Sequence, residues 1–486
     1  MKTQLARAIA ILLLVLFATQ SVWATCGGGG GGGGGGMSNG GGGGGSNAPV
    51  YIVPWKVRKP KDPPAMGLVL YWFPASNNEV NNSSLRQSRA LSLYASQCVS
   101  MELADTHIQN ADKLVGESKL PVAVLAMPDG TPVSKIENKD GKLKVGDVEK
   151  VVDSEMKQRE SAVDGQMKDA ADKVKAGDKD SAIKIYRAVL DQKCLFPKKA
   201  KEAAKQLKSL GVGEIASIPA APVFEPRQSA LIERTMRRGL IAEMNAQYIT
   251  ADQLYQRAHL MDPADPTPLR YLGENYRHNI GAWNKARTAF ETILNMPADP
   301  LSRSVALHGL GKMTIHDGEF KKGLALMERA VEEFPLALAY RNLAVYWNSE
   351  GDTAKGDAYT QQALALDPKD PYNLVFAAVF MAANGKKDEA LKIARDNVNL
   401  MPASYNLAAI YAQNGQRDKA LALLRRHFYQ YERYQSVRAK EMMEARVDAV
   451  FDSIRSDQAF IALTKGADGR LPIPMKNMGM RPGTNQ

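Results

Sequence analysis

Residues that could perform catalysis or bind a metal are few in this sequence, and their spacing excludes most chemistries. The three cysteines are Cys26, Cys98 and Cys194, and no two of them have CxxC or metal-ligand spacing. His308 and His316 lie eight residues apart, two turns along one helix face. Zinc needs three or four ligands, and no third one is near in the sequence. HExxH and Walker motifs are absent from the sequence. We therefore expect no enzyme active centre, no metal and no cofactor.

The charge balance limits the classes of partner. The chain has 486 residues and a formal net charge of +11, with basic residues scattered among many acidic ones. Such a balance indicates acidic partners, anionic lipid or nucleic acid, but a solvated surface of mixed charge has the same composition. Nucleic acid is disfavoured because basic and aromatic residues are not interleaved.

A repeat of small residues dominates the second half of the chain. Gly239 and Gly273 lie 34 residues apart in helical patterns that close on a proline. The same frame continues with small shifts through Gly311, Ala344, Ala378 and Ala408. This period and placement resemble the tetratricopeptide (TPR) repeat. The resemblance implies about six units of two antiparallel helices from residue 232, stacked into an all-α solenoid that holds other molecules.

The TPR resemblance also implies where a partner would bind, because the first helix of each unit lines the concave face. The corresponding positions of the second to fourth units form a partial basic band, made of Arg270, Arg277, His278, His308, Lys312, Arg341 and Asn348. A groove with a cationic middle and apolar ends fits an extended peptide with an acidic stretch or a free C-terminal carboxylate. The alternative is that these cations are simply solvated.

Residues 49–155 have a different pattern, in which strand and helix segments alternate. The predicted strands are 68–73, 99–103, 120–125 and 131–136, and the predicted helices are 85–94, 111–115 and 148–156. This order predicts one mixed sheet covered by helices.

The order of these segments resembles the thioredoxin fold. Trp72-Phe73-Pro74-Ala75-Ser76 lies where that family has its Trp-Cys-x-x-Cys loop, Leu120-Pro121 where it has a cis-proline, and Pro128-Asp129-Gly130 resembles its hairpin turn. Both active-site cysteines are absent from the loop, so the resemblance implies a redox-inactive domain. The predicted fold class is an α/β thioredoxin-like domain followed by an all-α TPR solenoid.

The N-terminus has the pattern of an export signal. Residues 1–24 have a basic start and a short apolar core, and residues 25–48 form a Gly-rich flexible tether. Cleavage after Ala24 and lipidation of Cys26 are both open, the second giving membrane association. We expect a periplasmic or envelope-associated protein. Export permits a Cys98–Cys194 disulfide, and two buried thiols remain the alternative.

The other boundaries follow from composition and periodicity. The predicted segments are a helical module with one divergent TPR at 156–211, a Pro-rich linker at 212–229, the TPR array at 230–435, capping helices at 436–470 and a loose tail at 471–486.

Three functions compete on this basis. The first is a non-catalytic scaffold or adaptor that binds protein or peptide partners along the TPR groove, with acidic ones as a candidate class. The second is a holdase chaperone of the cell envelope, because the pairing of a redox-inactive thioredoxin-like domain with TPRs resembles the chaperedoxins. The third is a thiol enzyme that uses Cys98 or Cys194, which lacks a second thiol at the loop.

Overall fold

The computed structural model describes residues 50–58, 62, 67–213, 216–432 and 435–465. The predicted signal segment 1–24, the tether 25–48 with Cys26, and the tail 471–486 lie outside the described residues. None of the described helices carries an apolar stretch long enough to cross a membrane.

The first unit is a mixed five-stranded sheet. Its strands are β1 (Lys56–Val57), β2 (Leu68–Phe73), β3 (Val99–Leu103), β4 (Val122–Ala126) and β5 (Pro132–Glu137), in the spatial order β1-β3-β2-β4-β5. β3 runs parallel to β1 and β2, whereas β4 runs antiparallel to β2 and β5. The peptide bond between Leu120 and Pro121 is cis.

Both faces of this sheet are covered. Every residue of β2 and β4 is buried, as expected for strands with helices on each side. Leu70 and Trp72 point into one apolar cluster, and Val69, Tyr71 and Phe73 into the other. The helices of this unit are α1 (Asn77–Asn82), α2 (Arg89–Ser96) and α3 (Ala111–Val115).

Two helical stretches of this unit differ from the predicted elements. The polar loop after β2 contains α1, because the Ser76 hydroxyl accepts a hydrogen bond from the Glu79 amide and caps a short helix. The helix expected at 85–94 is divided into a 3₁₀ turn at Ser84–Arg86 and α2, where Ser88 caps the backbone at Leu91.

A three-helix module follows the sheet. It comprises α4 (Val145–Lys175), α5 (Lys179–Asp191) and α6 (Pro197–Ser209). α4 is far longer than the predicted 148–156, because buried residues continue along one face through Val163 and Ala170. Cys98 and Cys194 form a disulfide with a Cα–Cα distance of 5.9 Å, which ties this module to the sheet unit.

In the described part of the chain between residues 226 and 426, six helix pairs form the array. The pairs are α7 (Pro226–Met244) with α8 (Tyr248–Met261), α9 (Pro266–Glu274) with α10 (Trp283–Asn295), α11 (Pro300–His316) with α12 (Phe320–Glu333), α13 (Ala337–Ser349) with α14 (Thr353–Leu366), α15 (Pro371–Ala383) with α16 (Lys387–Asp396), and α17 (Ser404–Gln413) with α18 (Arg417–Arg426). A π-helical turn, Asn275–Ile280, follows α9. The predicted TPR-type solenoid is confirmed in this architecture.

Local sequence explains how these pairs form. Asp265, Asp299 and Asp370 each precede a proline and cap α9, α11 and α15 through their side chains. Within the second pair, a Cβ at Gly273 would overlap the Phe290 ring, so only glycine lets the two helices approach this closely.

The chain after α18 completes the fold. A π-helical turn (His427–Tyr431) leads to α19 (Gln435–Val447), a 3₁₀ segment (Ala449–Ile454) and α20 (Gln458–Thr464). Phe451 packs edge-to-face on Tyr405 and contacts Phe460, and the Ser453 hydroxyl donates to the Ala412 carbonyl. The segment 449–464 thus covers the last helix pair, whereas α19 lies elsewhere.

Candidate protein-binding groove

The residues of the predicted basic band lie together on the first helices of the array, and they are buried. The six cationic or imidazole side chains, Arg270, Arg277, His278, His308, Lys312 and Arg341, are only 1–5% exposed, and Asn348 is half-buried. Such burial is unusual for charged side chains unless something covers and pairs them. The interpretation that these cations are solvated is therefore wrong.

α19 of the same chain covers the part of the basic band around Lys312 and the turn Asn275–Ile280. α19 contacts the turn Asn275–Ile280 of the second unit and the turn His427–Tyr431. Its Glu444 Oε1 lies 2.5 Å from His316 Nε2 and 3.6 Å from Lys312 Nζ. At its C-terminal end, the Tyr405 hydroxyl donates to Asp448 Oδ2 at 3.0 Å. We call the surface between the first helices of the array and α19 the groove.

The predicted capping segment 436–470 divides into two parts. The segment 449–464 packs on the last helix pair. α19 instead places Glu444 beside Lys312 of the basic band. Glu441 Oε2 lies 3.4 Å from His427 Nε2. The attraction between these carboxylates and the cations of the groove, in a site shielded from water, explains why the helix lies there.

The contact between Lys312 and Glu444 is a charged pair at neutral pH. Burial raises the pKa of Glu444, but the Lys312 ammonium and the hydrogen bond from His316 outweigh it and hold the pKa at about 2. Burial alone would lower the pKa of Lys312. The Glu444 carboxylate outweighs this effect, so the pKa of Lys312 lies above its ordinary value. Each group thus stabilises the ionised form of the other.

The two histidines deepest in the groove are neutral. Burial lowers the pKa of His278 and of His308 well below the usual value, and the Arg277 guanidinium lowers both further. His308 Nε2 lies 2.7 Å from Asn342 Nδ2, so it accepts a hydrogen bond from that amide. These two histidines therefore add no positive charge to the groove, whose cations are its arginines and Lys312.

Part of that charge is neutralised inside the array. Arg277 Nη2 donates to Glu274 Oε2 at 2.7 Å, one turn away on the same segment. Arg341 Nη1 donates to Asn373 Oδ1 at 2.5 Å, and its guanidinium lies 4.7 Å from the Tyr372 ring centroid. These contacts orient the guanidinium groups before any ligand is bound.

Two arginine donors of the basic band have no acceptor. Among the described residues, no partner lies within hydrogen-bond distance of Arg270 Nε or Arg341 Nε, although both atoms are buried. A buried donor without an acceptor is costly. The basic band thus keeps hydrogen-bond donors that the described part of the chain does not use.

A second buried cluster joins the sheet unit to the array. Arg89 Nη2 donates to Asp262 Oδ2 at 2.5 Å, and Arg89 Nε to Asp265 Oδ2 at 3.3 Å. The Tyr51 hydroxyl donates to Asp265 Oδ2 at 2.7 Å. The predicted linker joins this cluster, since the Val223 amide donates to Asp262 Oδ2 and its carbonyl accepts from Arg89.

The predicted Pro-rich linker, 212–229, contacts both modules that it joins, through Val223 and Phe224. Phe224 stacks on Tyr94 of α2 at a centroid distance of 4.6 Å, so the linker is packed between the modules. A sequence signal for this junction was present in the segment Asp262-Pro263-Ala264-Asp265. It contains two aspartates, whereas one side chain is enough to cap a helix.

The loop after β2 and the two described cysteines offer no reactive thiol among the described residues. Ser76 caps α1, and Cys98 and Cys194 are joined to each other. No group of three or more metal-ligating side chains occurs in the described parts of the chain, and His316 contacts Glu444 instead of His308. Of the candidate sites in the described parts of the chain, the groove is therefore the one whose side chains best support ligand binding.

Comparisons with known proteins found repeat proteins among the similar chains. No family model matches the chain. The CTR9 homolog of Arabidopsis thaliana is 25% identical over 224 residues, which is 36% of this chain but 20% of that protein. A thermophilic TPR protein of Thermus thermophilus superposes with a TM-score of 0.31 and 22% identity, over 39% of this chain and 99% of the other. A TPR protein of Parabacteroides merdae gives a TM-score of 0.29 and 16% identity, over 49% and 98% of the two chains.

The class of protein follows from the helix pairs themselves. Six consecutive pairs with small residues at the close contacts define an α-helical solenoid with a TPR-like fold. This chain spans about a fifth of the length of the curated relative.

Proposed function

We propose that this chain is a non-catalytic scaffold that binds a partner polypeptide in the groove of its TPR array. The observation that carries the proposal is that the groove already accommodates a helix through buried ion pairs and apolar contacts. A surface that holds one helix by these means has the chemistry to hold another. The proposed partner-binding residues are those of the basic band: Arg270, Arg277, His278, His308, Lys312, Arg341 and Asn348.

Site-specific photo-crosslinking in the native cell tests this function. A photoreactive amino acid at Asn348, the half-buried member of the basic band, should form adducts with another polypeptide. The same amino acid at Leu260, which is 78% exposed on the second helix of the first unit, is the control. Adducts only at position 348 that diminish in K312Q/R341Q support the proposal. Equal adducts at both positions, or none at 348, reject it.

Several observations support the finer parts of the account. The strand order β1-β3-β2-β4-β5 with an antiparallel β4–β5 hairpin supports a thioredoxin-like domain without the family's thiols.

The Cys98–Cys194 disulfide supports export to an oxidising compartment. Cell fractionation tests the export proposal, and a reduced cytoplasmic protein would contradict it. Cleavage after Ala24 and lipidation of Cys26 are the two alternatives within this proposal, and mass measurement of the mature N-terminus distinguishes them.

A holdase activity is the second candidate. It is favoured by large apolar side chains that remain exposed on α19, namely Met443 at 56% and Val447 at 79%. An exposed apolar stripe of this kind can hold unfolded clients. The test is light scattering of a chemically denatured client at equimolar ratio. Suppression that is lost in M443S/V447S supports a holdase, and undiminished aggregation in the presence of wild type rejects it.

A further inference from the structure

One face of α19 contacts the array in the way a bound ligand helix does. The buried positions Val437, Arg438, Glu441, Met442 and Ala445 recur at helical spacing. Met443 and Val447 lie on the opposite, solvent-facing side. A helix that inserts one amphipathic face into a groove is a known mode of peptide recognition.

The charges on this face set what the groove recognises. Glu441 and Glu444 are three residues apart, so their carboxylates lie on the same side of the helix about one turn apart. One reaches His427 and the other reaches Lys312 and His316. α19 thus presents two carboxylates at this spacing, with the buried Met442 between them, to the array and to the turn that follows α18.

Two arginines of the basic band keep polar atoms that no described residue satisfies. Arg270 Nε and Arg341 Nε are buried and have no acceptor among the described residues, although Arg341 Nη1 donates to Asn373 Oδ1. A ligand carboxylate or amide that reached these atoms would satisfy donors that the chain leaves unused.

We propose that α19 is an intramolecular ligand of the groove, and that an acidic amphipathic helix of a partner protein, with carboxylates three residues apart, binds there in its place. The proposal rests on the proposed function and adds the chemistry of the partner and the regulation of the site. Because α19 is part of the chain, it competes at a high effective concentration. A partner's apparent affinity is reduced by the fraction of molecules in which α19 fills the groove.

The test uses the full chain and a labelled synthetic peptide with the sequence of residues 435–448. Replacing Glu441 and Glu444 by glutamine weakens the internal ligand and leaves the array unchanged. We expect E441Q/E444Q to bind the peptide about ten-fold more tightly than wild type, because more grooves are open. E202Q/E291Q, with two exposed glutamates changed far from α19, should bind like wild type.

Three further measurements keep the proposal testable if the double variant folds poorly. M442A shortens the apolar anchor of α19 without changing any charge, and it should also increase peptide affinity. A peptide in which both glutamates are glutamine should not bind any of the proteins. Hydrogen–deuterium exchange of 435–448 should be faster in both variants, while α9–α17 remain protected.

The outcomes separate this proposal from the proposed function. Equal peptide affinity for wild type, E441Q/E444Q and M442A overturns the inference. If partner adducts at position 348 form nevertheless, the scaffold function stands and the groove binds its partner beside α19. If neither peptide nor partner binds, both proposals fail.

Discussion

Arg89 and Asp262 form a buried hydrogen-bonded ion pair, although 173 positions separate them in the chain. Both side chains are at most 1% exposed. Arg89 also donates to the Val223 carbonyl at 2.7 Å and to the Ser229 hydroxyl at 2.8 Å. One guanidinium group thus holds the sheet unit, the linker and the first repeat together.

Removal of Arg89 should uncouple these parts. R89M leaves two aspartates buried without their cation, so we expect a loss of about 3–5 kcal/mol in the free energy of unfolding. We also expect faster proteolysis in residues 212–229. Urea denaturation and limited proteolysis measure both effects, with R187M on the exposed side of α5 as the matched control. An R89M protein as stable as R187M would show that the junction does not depend on this pair.

The close contact of α9 with α10 gives a second prediction. G273A should destabilise the protein by about 1–3 kcal/mol, since the new methyl group meets the Phe290 ring. G165A lies in α4, where a Cβ would meet nothing within 4 Å, so it should stabilise by about 0.5–1 kcal/mol. Thermal unfolding of both proteins measures the difference. The idea fails if both substitutions shift stability in the same direction.

The disulfide gives a third prediction. Cys98 and Cys194 are separated by 96 positions, so the bond closes a long loop of the unfolded chain. C98S/C194S should lower the free energy of unfolding by about 2–5 kcal/mol. Urea denaturation with and without reductant measures this loss. Reductant should destabilise wild type and leave the variant unchanged, and equal sensitivity of the two proteins would contradict the assignment.

Glu243 gives a pH-dependent prediction. Burial raises its pKa from 4.5 to about 7, although hydrogen bonds from the Tyr255 hydroxyl and the Asn279 amide oppose the increase. The folded state therefore binds a proton that the unfolded state releases. Its contribution to stability is present below pH 4.5 and is lost as pH rises through 7, by about 1–3 kcal/mol.

The variant E243Q removes this titration while keeping the volume of the side chain. We expect its free energy of unfolding, relative to wild type, to increase between about pH 5 and pH 8. Urea denaturation at each pH measures the difference, with E202Q as an exposed control. A pH-independent difference between E243Q and wild type would show that Glu243 is ionised throughout this range.

The array is predictable from sequence because its contacts are local. Gly273 and Phe290 belong to one helix pair, and the small residue at a fixed place encodes the close approach. The strands β2 and β3 are predictable for a similar reason. β2 is a continuous apolar run, which indicates a strand buried on both faces, and β3 alternates, which indicates a strand buried on one face.

The rest depends on contacts that no local pattern encodes. The partner of Lys312 is Glu444, from a helix that follows the whole array, so the frame could place the cation on the concave face but could not show what covers it. The same holds for Arg89, whose position in α2 gave no sign of its aspartates. A useful signal was present in Glu441 and Glu444, two carboxylates one turn apart after a basic groove.

The most direct test of the central claim is a charge swap between Lys312 and Glu444. Hydrogen–deuterium exchange of residues 435–447 is measured in wild type, K312E, E444K and K312E/E444K at about pH 7, where the low pKa of Glu444 keeps it ionised. Each single variant places like charges together and should increase exchange of α19, and the double variant should restore protection. If α19 exchanges equally in all four proteins, it does not occupy the groove and the account is wrong.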